Sequence, residues 1–435
     1  MGHMHSDEQD YALLQRRLDQ TVTGAPDSPA LRQLLQLLFP PETVELATNI
    51  PTRFVTIEKL SKKMSVPVQQ LHDQVNAMAE RGLVMDVSLN EKRYIALAPV
   101  VIGFYEFTLM RTRDTIPMQE IARLFDEYMK EDKSFTHSLF DADTQVCRSL
   151  VREEAISEVD HTEILDWERA SQVIKSASQI AVGLCSCRHK AYHLGSACDA
   201  PLETCLTFNE AAKMLIRNNI ARPLDTKEAL DLLTDCKRAG LAQTADNVQK
   251  EITYMCNCCG CCCHFFDAVK RFGIRNAVVT SNWIAKVDWT TCRGCGKCVE
   301  ACPVNAIYLA GKQSAGEEKF QAIADEDLCL GCGVCYSHCR FGAIRLEARP
   351  QRVLTPRTMF DRIVLMAIER GKLADLLFEE PEKVGIRAMK RLVHALEHSS
   401  LFQATMAVKP LRSVFLNTIV AMAKRDAGEM GKVFG

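Results

Sequence analysis

The sequence predicts an α+β protein of several domains, and three observations lead to that class. Its 435 residues exceed what one hydrophobic core ordinarily serves. Runs with helical spacing of apolar residues are interleaved with short runs of strand character. All but one of the 20 cysteines fall between Cys185 and Cys339, so thiol-rich units sit between thiol-poor ones. A net charge of -2 gives no global reason to expect nucleic acid or an anionic membrane as partner. No apolar run spans a bilayer, since the stretch from Tyr94 to Tyr105 is short and broken by Pro99 and Gly103.

The N-terminal residues His3, Asp7, Glu8 and Asp10 carry neither the basic flank nor the apolar centre of a secretory signal, so a cytoplasmic protein is expected. Residues 6 to 25 contain a short polar helix. Helices follow at Leu31 to Phe39 and Glu42 to Thr48, then at Ile57 to Met64 behind the N-cap Thr56. Val68 to Arg81 carries Leu71, Val75 and Met78 on one face, and Gly82 stops it. Leu83 to Val87 and Arg93 to Leu97 form a two-stranded hairpin across Ser88 to Lys92. This order resembles a winged helix-turn-helix domain over residues 28 to 100. Its second helix, however, presents Gln69, Gln70, His72, Asp73, Gln74, Asn76, Glu80 and Arg81, two acids against one arginine. Such a face lacks the basic stripe that drives DNA binding, and protein docking or a scaffold role is expected instead. Residues 101 to 165 read as a mainly helical connector with Phe104, Tyr105, Phe107, Phe125 and Tyr128 as packing residues. Cys147 within it is an ordinary thiol.

A cysteine-rich unit begins near Trp167. A helix to Ser176 and a strand from Gln179 to Leu184 lead into Cys185-Ser186-Cys187-Arg188-His189, and Cys198 and Cys205 follow on a loop with Gly195 and Pro201. Phe208 to Arg217 is helical, and Asp225 to Glu228 is a capping box for a helix through Lys237, ended by Gly240. Cys236 lies in that helix as a core residue. Then comes Cys256-Asn257-Cys258-Cys259-Gly260-Cys261-Cys262-Cys263-His264, more thiols than a core or a solvated loop requires. Adjacent cysteines do not easily address one metal, so the run resolves into Cys256, Cys259 and Cys262 at C-x2-C-x2-C spacing and an overlapping pair, Cys258 and Cys261. Cys185, Cys187, Cys198 and Cys205 can complete such sets, as can His189, His193 and His264. The cysteines of the two stretches leave room for two clusters or one larger non-cubane cluster. A structural cluster, an electron-fed catalytic cluster or thiol site, and a redox sensor all fit. The surplus over the four ligands of a structural zinc favours reactivity. Arg188 and Lys190 either lower a thiolate's pKa, hold an anionic ligand, or are solvated surface charges.

After a helix at Phe265 to Phe272 and a strand at Trp283 to Val287, Cys292-x2-Cys295-x2-Cys298-x3-Cys302-Pro303 is repeated as Cys329-x2-Cys332-x2-Cys335-x3-Cys339. Each tight loop can wrap three corners of a cubane while a distant cysteine closes the fourth. Zinc is the alternative, and eight cysteines in duplicated spacing disfavour it. Beyond Leu346 the chain turns helical. Apolar stripes occur at Met359, Ile363, Met366 and Ala367, at Met389, Leu392, Val393 and Leu396, and at Leu411, Phe415, Ile419 and Met422.

The duplicated spacing resembles that of two-cluster bacterial ferredoxins. That resemblance implies crossed ligation, with Cys292, Cys295, Cys298 and Cys339 holding one [4Fe-4S] cluster and Cys329, Cys332, Cys335 and Cys302 the other. Gly294, Gly296, Gly331 and Gly333 would keep the loops open to the inorganic sulfides. Arg340 stands where the repeat normally has proline and would raise the potential of the cluster beside it. A wider likeness rests on Cys185-x-Cys187-Arg188, on Cys198-Asp199-x-Pro201-Leu202-Glu203-x-Cys205 and on Cys256-Asn257-Cys258-Cys259. On these the chain resembles ferredoxin-type iron–sulfur proteins of anaerobic bacteria and archaea.

Six segments follow: 1–27, the winged-helix-like 28–100, the connector 101–165, the cysteine-rich α/β segment 166–282, the two-cluster 283–348, and a helical extension 349–435. The expected function is electron exchange between the two-cluster segment and a further Fe–S cluster or thiol site in the middle. That site would be a reductive active site for a small-molecule substrate, with a redox protein as partner. The alternatives are an electron-transfer subunit without chemistry of its own and a redox-responsive winged-helix regulator. No dinucleotide fingerprint, P-loop or nucleophile elbow competes.

Overall fold

The computed structural model describes residues 2–113, 115–130, 133–314 and 317–378, with isolated positions beyond. Helix and strand are mixed, and the chain divides into two units. One combines Met1–Thr144, Met214–Ile220 and the described residues from Pro356 onward; the other combines Gln145–Lys213 and Ala221–Thr355. Among the described residues no helix is long and apolar enough to cross a membrane.

In the first unit the helix Pro29–Leu38 opens on Ser28, whose side chain accepts the Leu31 amide, and buries Leu31, Leu34, Leu35 and Leu38. Helix Val68–Glu80 buries Leu71, Val75 and Met78 in line with their i, i+4, i+7 spacing. The strands Val84–Leu89 and Lys92–Leu97 pair antiparallel through a two-residue turn in which Asn90 and Glu91 both take positive φ. The short strand Val55–Thr56 adds to Lys92–Leu97, making a three-stranded sheet. Asp86 lies fully buried in this sheet, ion-paired to Arg93 at 2.9 Å and Arg217 at 3.1 Å and accepting from the Asn218 amide at 2.8 Å. Arg93 also reaches Asn76 Oδ1 at 2.7 Å and His72 Nδ1 at 3.3 Å. Phe39, Phe104, Tyr105 and Phe125 form an edge-to-face ring cluster beneath the helix Met118–Lys130.

The α-helices of the connector end at Phe140; beyond it Cys147–Ser149 is a strand of the second unit, followed by single helical turns at Glu153–Ala155 and His161–Glu163. Near the C-terminus, Thr358 and Asp361 cap the helix Met359–Glu369 reciprocally. Of the stripe read there, Met366 and Ala367 are buried, but Met359 and Ile363 are only half-buried, and Arg362 and Val364 take the inner positions. The stripes at Met389, Leu392 and Leu396 and at Leu411, Phe415, Ile419 and Met422 lie outside the described residues.

The second unit is built on a six-stranded antiparallel sheet in the order Cys147–Ser149, Ala242–Asp246, Tyr254–Cys258, Glu203–Phe208, Ile180–Leu184, Arg222–Leu224. Its core joins Ile180, Val182, Leu206, Phe208, Ala245 and Met255 to Val173 and Ile174 of the helix Ala170–Ser176 and to Ala229 and Leu233 of the helix Thr226–Arg238. Side chains alternate along a strand, so burying Leu206 and Met255 on this face turns Cys205, Cys256 and Cys258 to the other. In the same unit, Trp283–Val287 pairs antiparallel with Ile344–Ala348, and a hairpin of Ile307–Ser314 and Glu317–Ala324 separates the two cysteine repeats.

Candidate metal centres

The duplicated cysteines gather in two quartets. Cys292, Cys295, Cys298 and Cys339 line one small pocket, together with Leu309 and Phe341. Burial pushes the Cys298 thiol up to about 11, with Cys292, Cys339 and Cys295 adding to the shift. In the other quartet, burial raises Cys332 to about 12 and Cys335 well above its usual value, and Cys302 and Cys329 press both further. Such thiols remain protonated unless a metal compensates their charge. Backbone amides already point at sulfur, from Ala306 to Cys302 at 3.2 Å, Ala343 to Cys339 at 3.3 Å and Ala322 to Cys292 at 3.5 Å. Converging cysteines, some buried and others met by amide donors, fit iron–sulfur clusters.

Gly294, Gly296, Gly331 and Gly333 all have positive φ, between 64° and 79°. At Gly331 the reason goes beyond the loop's shape, because a Cβ there would overlap the Trp283 carbonyl and the Ser281 hydroxyl. Arg340 lies over the Phe341 ring, 4.9 Å from its centroid.

The middle cysteines come from two strand-to-helix junctions. At the first, the strand Ile180–Leu184 passes through Cys185 into the helix Ser186–His193, and Cys205, expected on a loop, lies instead on the strand Glu203–Phe208. At the second, the strand Tyr254–Cys258 ends in the turn from Cys259, and Cys263 heads the helix His264–Phe272. The cysteine run therefore begins on a central strand.

A shallow group contains Cys198, Cys259, Cys261 and Cys262, whose four Sγ atoms all lie within 4.8 Å of one another. Cys261 and Cys262, although adjacent, bring their sulfurs to 3.6 Å, and Cys262 lies 4.0 Å from Cys198. The second group is a deeper chain of contacts. Cys205 hydrogen-bonds Cys256, which hydrogen-bonds Cys258; Cys258 meets Cys263 at 3.4 Å, and Cys263 hydrogen-bonds Cys187. A hydrogen bond from Cys187 pulls Cys263 down, but Cys258 and burial outweigh it. Thr244, which no sequence signal marks, places its hydroxyl 3.5 Å from Cys258 Sγ.

Arg188 ties the two junctions together. It is 1 % exposed, so it is not a surface charge. Its guanidinium donates to the Pro201 carbonyl, to Thr204 Oγ1 at 3.3 Å and to the Asn257 carbonyl at 3.2 Å, and it hydrogen-bonds Cys259 and Cys198. Burial works against this charge, but the thiols of Cys185 and Cys259 outweigh it and raise the Arg188 pKa. A hydrogen bond from Cys262 and then the Arg188 charge push Cys259 down to about 4, while Cys262 shifts upward. Cys185 is driven up to about 12 by burial and then by Cys187, with Arg188 opposing. Of the histidines, His189 and His193 face one another along their helix with Nε2 atoms 3.1 Å apart, and His264 is buried at the head of its own.

The middle site and the repeated cysteines touch within one unit. A Cβ on Gly260 would lie 3.0 Å from Pro303 Cα and 3.1 Å from the Pro303 oxygen. The turn between Cys259 and Cys261 thus rests on the residue that follows Cys302. On the other side of that quartet the buried Arg152 donates to Ser337 Oγ, to the Leu241 carbonyl at 2.8 Å and to the Lys237 carbonyl at 3.2 Å, with Cys332 and Cys335 nearby. Neither Arg152 nor the Gly260 contact carries a sequence signature, because each depends on long-range packing.

A family model described as a 4Fe-4S dicluster domain matches residues 291–343. No curated protein and no solved structure matches the chain. The matched segment and the cysteine group together support an iron–sulfur protein of ferredoxin type that takes part in electron transfer.

Proposed function

We propose that this chain is an iron–sulfur redox protein in which residues 283–348 hold two [4Fe-4S] clusters and exchange electrons with the middle cysteine site, itself the place of a reductive reaction. Cys292, Cys295, Cys298 and Cys339 would hold one cluster, and Cys302, Cys329, Cys332 and Cys335 the other. Bound clusters would supply one-electron chemistry. The chain's own residues set the conditions for it. Amides from Ala306, Ala322 and Ala343 stabilise thiolate charge on Cys302, Cys292 and Cys339. Arg188 places a buried cation beside Cys259 and Cys198, which favours added negative charge at that site.

The contact of Gly260 with Pro303 carries this reading. Electron transfer falls off steeply with distance, and this contact puts the middle turn directly against the neighbour of Cys302. Exposed Leu309 and Phe341 at the pocket of the other quartet, with Tyr308 and Phe320 on the adjoining hairpin, provide an apolar surface for a redox partner.

The winged-helix-like segment is read as a protein-docking or scaffold element. Arg93 engages both His72 and Asn76, which occupies two base-reading candidates of the helix with a contact inside the protein.

An anaerobic titration of the purified chain with a low-potential reductant tests the function. Two cubanes accept about two electrons, so more than that number per chain is expected. A count of about two would leave the middle site outside the redox path and reduce the chain to an electron-transfer subunit.

A further inference from the structure

We infer that Cys198, Cys259, Cys261 and Cys262 bind a single tetrahedral, thiophilic metal ion rather than a corner-shared cluster. The inference refines the site proposed above and rests on that reading only in taking its thiols as metal ligands. The first ground is size. One zinc or iron ion bound at about 2.3 Å to each of four sulfurs sets those sulfurs about 3.8 Å apart. The separations in the structure bracket that value, at 3.6 Å for Cys261 to Cys262 and 4.0 Å for Cys198 to Cys262, and all four sulfurs fall within 4.8 Å. A cubane puts a separate iron behind each thiolate and spreads its four ligands over a wider frame. The chain holds its own comparison. Among the described residues no other three metal-ligating side chains are drawn so close, and that includes both quartets of the dicluster segment.

The second ground is charge. A divalent ion held by four thiolates forms a dianionic centre. A dianion needs a cation beside it when partly removed from water. Arg188 is that cation, a buried guanidinium whose charge is felt at Cys259 and which is anchored to the Asn257 carbonyl two residues before Cys259 at 3.2 Å. Its remaining named partners are a carbonyl and a hydroxyl, with no carboxylate among them. The third ground is access, since Cys261 is exposed and Cys198 and Cys262 are half-exposed, so an ion can load from solvent. The assignment leaves Cys187, Cys205, Cys256, Cys258 and Cys263 as a separate, deeper set.

The test compares the full chain with the double variant C198S/C261S, both purified anaerobically. Iron and zinc are counted by mass spectrometry and acid-labile sulfide by colorimetry. The variant is expected to lose one metal ion per chain with sulfide unchanged, and the element lost tells zinc from iron. Loss of about four irons with as many sulfides, or no loss of metal, would overturn the inference. Should the double variant fold poorly, C261S alters only the exposed thiol and is read the same way, through release of one ion to a chelator at lower concentration than the parent requires. The electron titration keeps the two proposals apart. An uptake of about two electrons beside loss of one ion ends the electron-fed reading and leaves this site standing. Uptake above two beside a four-iron loss does the reverse.

Discussion

Gly331 has carbonyl oxygen on one side and a positive φ of 66°, so both its backbone and its missing side chain are required. Adding one methyl group by Gly331→Ala pushes the loop of Cys329, Cys332 and Cys335 away from the Trp283 carbonyl. Roughly half of the dicluster iron should be lost, read as iron per chain alongside the spectrum of the surviving cluster. Full iron content in that variant would show that the loop yields. Arg188 shows how far single residues can be read in advance. Its neighbourhood to Cys187 is plain from the sequence, whereas its burial, and so its role as the charge partner of Cys198 and Cys259, depends on strands more than 60 residues further along the chain.

Elements were legible wherever their rule is local. Asp225 and Glu228 bond reciprocally across the start of the helix Thr226–Arg238, as four consecutive residues announce. Removing that cap by Asp225→Ala should cost about 1 kcal/mol, seen as a lower urea midpoint at unchanged slope; an unmoved midpoint would mean that packing alone holds the helix. The strand Tyr254–Cys258 was not legible. Its alternation is between Met255 and Asn257 inward and Cys256 and Cys258 outward, a contrast that no polar-apolar pattern shows, and its partners Ala245 and Leu206 are remote in sequence. The hairpin Ile307–Ser314 with Glu317–Ala324 was likewise hidden, since the cysteine repeats on either side fix the reader's frame and its pairing is visible only in register. The helix Ser186–His193 escaped because its residues are read first as ligands.

At the scale of the molecule, the segments read as 166–282, apart from Met214–Ile220, and 283–348 fall together into one unit, and the turn Cys259–Cys261 meets Pro303 inside it. Adjacency along the chain hinted at that meeting; the sheet that positions it was invisible. The contact has a practical meaning, because Gly260 is a shim of zero thickness. Alanine and then valine at this position would pry the turn from Pro303 in steps of a few tenths of an ångström. Stopped-flow reoxidation should slow in the same order while the total reducing equivalents stay fixed, whereas equal rates across the series would show that no current passes through this contact. One backbone position would then serve as a calibrated resistor, letting the tempo of the protein be set without altering any ligand.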